Sequence, residues 1–404
     1  METEKMFNTD LNTPKSELEK RIKKLQTRLG ENNIDAALIL QKADLFYFSG
    51  TIQDAHLYVP ADKDPILMVY KNNKRARAES SLKNMVTLKN TGQICSLLHD
   101  NGYVLPRILG MELDVLPANL YFNYNSLFEH AKIIDISHHL RLIRAVKSAY
   151  EIDLIQKAGR MSDQVADCVQ EFLHEGISEI ELAGKVEARA RKLGHSGFVR
   201  MRLWGSELFY GHLMSGPSAA VPSYLSSPTG GTGVSPAVSQ SAGLRPIQRG
   251  EPVLVDYVFV LNGYMSDHAR VFALGHLPDD LLKAHDSMLK VQSVIKKEAK
   301  PKVRSGKLYH IALELTKKLG FEKSFMGVDA PRIRFVGHGI GLELDEYPFL
   351  AKGQDLELEK GMTIALEPKL IFPGKGVVGI ENSHVVTSEG LKQLTHFDEK
   401  IIIL

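Results

Sequence analysis

The sequence predicts a two-domain protein of mixed α/β and α+β character, and three observations carry that reading. The chain of 404 residues exceeds one ordinary domain and corresponds to about two or three. Its first third alternates helical and extended segments, the pattern of an α/β layer domain. Beyond Leu140 a long helical stretch replaces that alternation, and a strong hairpin signal follows at Asn262-Gly263. The expected division is 1–145 and 146–404.

Leu18, Ile22, Leu25 and Leu29 recur at helical spacing in a Lys- and Glu-rich segment, which predicts an amphipathic first helix closed by Asn32 and Asn33. Ala36–Leu40, Ile66–Tyr70 and Ile108–Met111 read as strands. Glu151–Glu175 and Ile177–Leu193, rich in Ala, Glu, Lys and Leu, read as two helices. Phe198–Trp204 and Leu208–Ser215 then look extended. From Ser226 to Glu251, five Gly, three Pro and five Ser interrupt any periodicity. A loop of this length is either functional or a disordered insertion.

Composition excludes several classes. Fifty Lys and Arg against 48 Asp and Glu leave a formal charge of +2, with none of the basic excess expected of a nucleic-acid binder. No apolar run reaches the length of a membrane span. The charged segment Met1–Lys24 lacks the apolar core of a secretory signal, so a cytoplasmic protein is expected. Cys95 and Cys168 stand far apart and support neither a disulfide framework nor a Cys-based zinc site.

The chemistry concentrates in PVLVDYVFVLNGYMSDHARVF, Pro252–Phe272. With Asn262-Gly263 as the turn, Asp267 opposes Val258, whose side chain shares a face with Asp256. The two aspartates become diagonal neighbours about 7 to 8 Å apart, within joint reach of a small ion. Like charges on a buried strand pair are costly without a cation; the alternative is a hairpin at the solvent edge. His338, Glu367 and Glu381 also interrupt apolar contexts, in FVGHGIG, MTIALEP and VVGIENS. Two Asp, two Glu and one His form a hard-oxygen set with one imidazole, suited to Mn, Fe, Co or Zn. Such a set can hold two ions for attack by activated water.

The spacing Asp256-x10-Asp267, followed in order by GHGIG, ALEP and IEN, resembles the pita-bread metallopeptidases: Xaa-Pro aminopeptidases, prolidases and methionine aminopeptidases, with creatinase as a relative. The resemblance covers essentially the whole chain. It implies a creatinase-type N-terminal domain over 1–145 and a pita-bread catalytic domain over 146–404. It implies that Asp256, Asp267, His338, Glu367 and Glu381 bind two divalent metal ions, manganese foremost, with Co, Fe or Zn as alternatives. Asp267 and Glu381 would bridge the ions and Glu367 would also move a proton. A homodimer is the implied assembly.

Three positions depart from that pattern. Ser223 and Asp345 stand where peptidases of this kind usually carry histidines, and Gly379 stands where prolidases and aminopeptidases P commonly carry arginine. His212 offers a replacement imidazole or is a satisfied core histidine. Asp345 is a carboxylate for a substrate ammonium, a proton acceptor if burial raises its pKa, or a solvated loop residue. Tyr224, with Arg202, Trp204 and Tyr210, lines a cleft or packs. The expected catalytic residues are therefore Glu367 and His212, and the expected substrate contacts Ser223, Asp345 and Tyr224.

Other motifs fail. Gly194–Phe198 has Phe where a nucleophile elbow needs its second Gly. Gly230–Gly233 lacks the Gly-Lys-Ser/Thr ending of a P-loop, and the glycines around His338 open no dinucleotide-binding helix.

The leading expectation is a dinuclear hydrolase, Xaa-Pro aminopeptidase- or dipeptidase-like, cleaving an amide C–N bond through a metal-bridging hydroxide. A metal-dependent small-molecule amidohydrolase or lyase is the alternative, and a non-catalytic binding module is a third. Five retained ligands speak against the last.

Overall fold

The structure, a computed structural model, describes residues 11–328 and 332–404. The chain divides into two compact units, Met1–Arg144 and Ala145–Leu404.

In the first unit, α1 (Lys15–Glu31) buries Leu18, Ile22, Leu25 and Leu29 and ends at Asn32. Asn33 then takes a φ of 55°. β1 (Ala36–Ile39), α2 (Lys42–Ser49), β2 (Ala55–Pro60), β3 (Ile66–Val69), α3 (Asn73–Glu79) and β4 (Asn84–Thr87) follow. α4 (Ile94–Asp100), β5 (Ile108–Met111), α5 (Ala118–Leu127), β6 (Lys132–Asp135) and α6 (Ser137–Ala145) complete the series. The six strands form one mixed sheet in the order β4-β3-β2-β1-β5-β6. β1 and β3 are buried at every position, which is why their sequences read as continuous apolar runs.

The second unit opens with α7 (Ala149–Phe172), started by a capping box between Ser148 and Glu151. α8 (Glu179–Lys192), β7 (Gly211–Ser215), the short α9 (Gly216–Ala219), β8 (Pro252–Leu261) and β9 (Tyr264–Ala273) come next. α10 (Asp279–Glu298) and α11 (Ser305–Lys318) precede β10 (Phe335–Gly339), β11 (Glu346–Ala351) and β12 (Thr363–Leu366). β13 (Lys369–Phe372), β14 (Gly376–Gly379), β15 (Asn382–Thr387), β16 (Gly390–Gln393) and β17 (Ile402–Ile403) end the chain.

Two sheets organise this unit, in the orders β17-β9-β8-β7 and β11-β10-β12-β15-β16, with β13-β14 as a separate ribbon. α7 and α8 pack on the first sheet through Val165, Val169, Leu182 and Val186. α10 and α11 cover the second through Met288, Val291, Leu308 and Ala312. A bridge between Ala269 and Glu381 ties the sheets together. Helices thus shield the outer faces, and polar residues from the two sheets meet where the sheets join.

One expectation needs correction, and one loop gains detail. Phe198–Trp204 forms no strand, and Trp204 is 97% exposed, whereas Tyr210 is buried and stacks on His195 at 4.2 Å between centroids. Apolar composition without period-2 alternation explains the misreading. The Ser226–Glu251 loop has no helix or strand, yet its base is fastened. The buried Glu179 carboxylate accepts from Ser215 N at 2.8 Å, Ser215 Oγ at 2.9 Å and Gly243 N at 2.9 Å, and also from Ser218 Oγ.

Candidate metal centre

β8 and β9 pair in the register set by the Asn262-Gly263 turn, with Val258 opposite Asp267 and Asp256 opposite Ala269. Asn262 and Gly263 both have positive φ, 50° and 84°, as a turn matched to the strand twist requires. Both strands are buried, so Asp256 and Asp267 project into the interior and not toward solvent.

His338 sits on β10 between two glycines. A Cβ on Gly339 would lie 2.1 Å from the Tyr347 carbonyl oxygen, so glycine is what lets β11 approach here. His338 Nδ1 lies 3.0 Å from the Leu344 carbonyl and 3.1 Å from that of Gly339. Two acceptors there fix the proton on Nδ1 and turn Nε2 inward as a free donor atom. Nε2 is 3.6 Å from Asp267 Oδ2 and 3.7 Å from Glu367 Oε1. Glu367 leaves the end of β12, and Glu381 precedes β15. Glu381 is held by the bridge to Ala269 and by buried Arg270, which donates to the Glu381 carbonyl at 2.9 Å and to Asn382 Oδ1 at 2.9 Å.

The five residues expected to bind metal therefore converge, all of them buried. Ligand atoms of Asp267, His338 and Glu381 lie within 4.8 Å of one another, close enough for one ion to reach all three. Oxygen and imidazole donors in this set fit a first-row divalent ion.

Lys369 completes the centre and was not singled out from sequence. Its Nζ donates to Asp256 Oδ2 at 2.7 Å, Glu367 Oε2 at 2.8 Å and Glu381 Oε2 at 2.7 Å. A lysine inside the apolar run MTIALEPKLIF was the available signal.

The electrostatics follow from burial. Burial and the neighbouring Asp256 push the Asp267 carboxyl up to about 7, and burial with Asp267 and Glu367 pushes Glu381 well above the usual carboxylate range. Burial opposes charge on His338 and on Lys369. The carboxylates Asp345, Glu367 and Asp267 outweigh it and raise His338, while Asp256, Glu367 and Glu381 raise Lys369 well above its ordinary value. The site is therefore an anionic cluster that favours any cation within reach.

A cavity of about 70 Å³ opens onto these groups, lined by His212, Leu225, Ser226, Ser227, Leu344 and Asp345 among others. His212 lies opposite Asp256 on β7, and its Nε2 has no hydrogen-bond partner among the described residues. Burial lowers its pKa, so it is a neutral imidazole near neutrality. Asp345 lines the cavity and places Oδ1 3.8 Å from His338 Nδ1. Ser223 and Tyr224 are not brought into the cavity lining. The Ser223 hydroxyl accepts from Leu225 N at 3.0 Å, and Tyr224 is 58% exposed. Two buried ion pairs not evident from the sequence, Arg202–Glu343 at 3.5 Å and Lys147–Glu346 at 2.9 Å, brace the segment around β10 and β11.

Comparison with known proteins now decides the family. The profile of Metallopeptidase family M24 matches residues 153–388, and that of the Creatinase/Prolidase N-terminal domain matches residues 21–146. The chain belongs to metallopeptidase family M24. Among curated relatives, the Xaa-Pro dipeptidase of Pyrococcus furiosus is 28% identical over 392 residues, covering 95% of this chain and 100% of that one. The solved prolidase from Pyrococcus furiosus superposes with a TM-score of 0.75 at 26% identity, covering 92% of this chain and 99% of that chain. The Xaa-Pro dipeptidase from Bacillus anthracis, 24% identical, shares the fold with a TM-score of 0.81 over 96% of this chain and 100% of its own. The architecture is thus a creatinase-type N-terminal domain followed by a pita-bread catalytic domain, and the protein is a metallohydrolase. No helix among the described residues is long and apolar enough to cross a membrane.

Proposed function

We propose that this M24 member hydrolyses the amide bond of Xaa-Pro dipeptides or short peptides, using Asp256, Asp267, His338, Glu367 and Glu381 as its divalent-metal centre. The observation that carries the reading is the convergence of these five buried side chains at a cavity, within a family of metallopeptidases. Manganese is the first candidate, with Co, Fe or Zn as alternatives. The five-residue pattern provides for two ions, although Lys369 competes for the Asp256 side.

A divalent ion at this centre supplies Lewis acidity toward the scissile carbonyl and a lowered pKa for attacking water. Glu367 then serves as the proton carrier. Its Oε1 faces the cavity beside His338 and its Oε2 is held on Lys369, so it is oriented to take the proton of the attacking water and return it to the leaving nitrogen. Neutral His212 presents an imidazole from the β7 side to the carbonyl oxygen. Asp345 offers a carboxylate to the substrate's ammonium.

The proposed organisation is an N-terminal domain over 1–145 followed in sequence by a catalytic domain over 146–404. A cytoplasmic homodimer without nucleic-acid or membrane partners fits the balanced charge of +2. Chromatographic assay of proline release from a panel of Xaa-Pro dipeptides by the Mn-loaded protein tests the reading. Absence of turnover on every dipeptide removes the peptidase assignment.

A second reading, a small-molecule amidohydrolase or lyase on the same scaffold, is favoured by the small cavity of about 70 Å³ and by Asp345 and Gly379 replacing the usual His and Arg. Cyclic amides and modified amino acids are the panel for it, and exclusive turnover of proline peptides would sink it.

A further inference from the structure

We propose that the Lys369 ammonium is a built-in cation that takes the place of the Asp256-side divalent ion, so that each chain takes up one such ion, on the His338 side, and not two. The inference rests on the metallohydrolase reading above and changes its cofactor.

The geometry separates the two halves of the centre. On one side, Lys369 Nζ is nearly equidistant from Asp256 Oδ2, Glu367 Oε2 and Glu381 Oε2, at 2.7, 2.8 and 2.7 Å. A divalent ion bound by the same three oxygens would occupy nearly the same point in space. The ammonium and that ion are mutually exclusive there, by volume and by like charge. On the other side, His338 Nε2, Asp267 Oδ2 and Glu367 Oε1 point at one another with separations of 3.6 and 3.7 Å from the imidazole nitrogen. Donors about 2.1 Å from a common tetrahedral ion sit roughly 3.4 Å apart, so these distances match a shell round one ion. Glu367 is shared, with one oxygen turned to each side.

The backbone explains why Lys369 reaches this point. On the β13–β14 ribbon Lys369 pairs with Gly379. A Cβ at 379 would lie 2.5 Å from the Pro368 carbonyl oxygen, 2.7 Å from Lys369 Cα and 3.0 Å from Lys369 Cγ. Glycine at 379 therefore permits the close approach that seats Lys369 and its stem. The side chain is sealed in place, since Lys369 is only 1% exposed. Its swing out of the centre would leave three carboxylates without their donor.

The test is metal stoichiometry on the full chain, stripped with chelator, saturated with Mn or Zn, and freed of loose ion by gel filtration. Elemental analysis is expected to give one ion per chain, and the Mn-loaded protein the spectrum of an isolated ion in electron paramagnetic resonance. Asp256→Asn should keep the single ion, because Asp256 serves the ammonium. His338→Ala should lose it, and Lys369→Ala should take up a second. Should Lys369→Ala fail to fold by circular dichroism, the wild-type count and Asp256→Asn decide. Two ions per wild-type chain, an exchange-coupled Mn spectrum, or loss of the ion in Asp256→Asn each overturn the inference and leave the metallohydrolase reading standing. A wild-type chain that takes up no ion overturns both.

Discussion

The wall of the cavity and its rim are built by opposite means. The wall consists of β8, β9 and β10 with the ends of β12 and β15, in which backbone pairing fixes each side chain's direction and burial leaves it no alternative. The rim, from Phe198 to Glu251 outside β7 and α9, is irregular backbone with exposed Phe198, Leu203, Trp204 and Phe209. In the wall, a charged residue is expensive and must be compensated by a neighbour. At the rim, Phe198, Leu203, Trp204 and Phe209 stand in water, whereas groups such as Arg202 and Tyr210 are buried. The candidate metal ligands therefore belong to the wall, and the exposed aromatic side chains to the rim.

That contrast can be broken most directly at Glu367. Glu367→Gln keeps the side chain's shape and removes its ability to carry a proton. Steady-state kcat on whichever substrate is turned over should fall by about 10²- to 10⁴-fold; a fall of less than tenfold would deny the wall its catalytic role. Arg270→Met comes next. Arg270 donates to the carbonyls of Ala269, Glu381, Phe397 and Asp398 and to Asn382. Stranding several buried acceptors should cost on the order of 3 kcal/mol in urea unfolding. It should also weaken metal uptake, because Glu381 loses its anchor.

A smaller effect has a definite sign with pH. Asp267 is raised to about 7, above its unfolded value, and burial with Asp267 and Glu367 also raises Glu381 well above its ordinary value. The stability linked to their protonation is fully present in acid and is lost as pH rises through about 7 and beyond. A metal ion binds the deprotonated forms and supplies the missing compensation. The gain in Tm on adding Mn to stripped protein should therefore be larger at about pH 8 than at about pH 5. Equal gains at both would show that these carboxylates are already compensated. The smallest effect is expected at the rim. Ser223→Ala and Tyr224→Ala should change stability by no more than about 0.5 kcal/mol and leave the metal count unaltered, and a strong loss of activity in either would place the rim within the machinery.

The same division decided what was legible in the sequence. The hairpin turn fixed the β8–β9 register, so the diagonal placement of Asp256 and Asp267 could be worked out from period-2 geometry alone. Burial of one face of α1 followed from helical spacing, whereas α7 and α8 were legible as helices from their Ala-, Glu-, Lys- and Leu-rich composition. Irregular backbone has no such period, so the resemblance pointed to Ser223 without revealing that its hydroxyl turns back to Leu225 N. Lys369 was missed for another reason. A lysine in a strand is usually read as a solvent-facing residue, and only the meeting of β13 with the carboxylates of two sheets shows that it faces inward.

The pairing of Lys369 with Gly379 has a consequence for how sequences of this kind can change. Glycine at 379 and the inward Lys369 are coupled, because a Cβ at 379 would lie 2.5 Å from the Pro368 carbonyl oxygen and 2.7 Å from Lys369 Cα. A side chain introduced at 379 alone would have to displace the Pro368 carbonyl and the Lys369 backbone. Any larger residue at 379 would require the ribbon to open around 368 and 369, and opening it there would also unseat the inward ammonium.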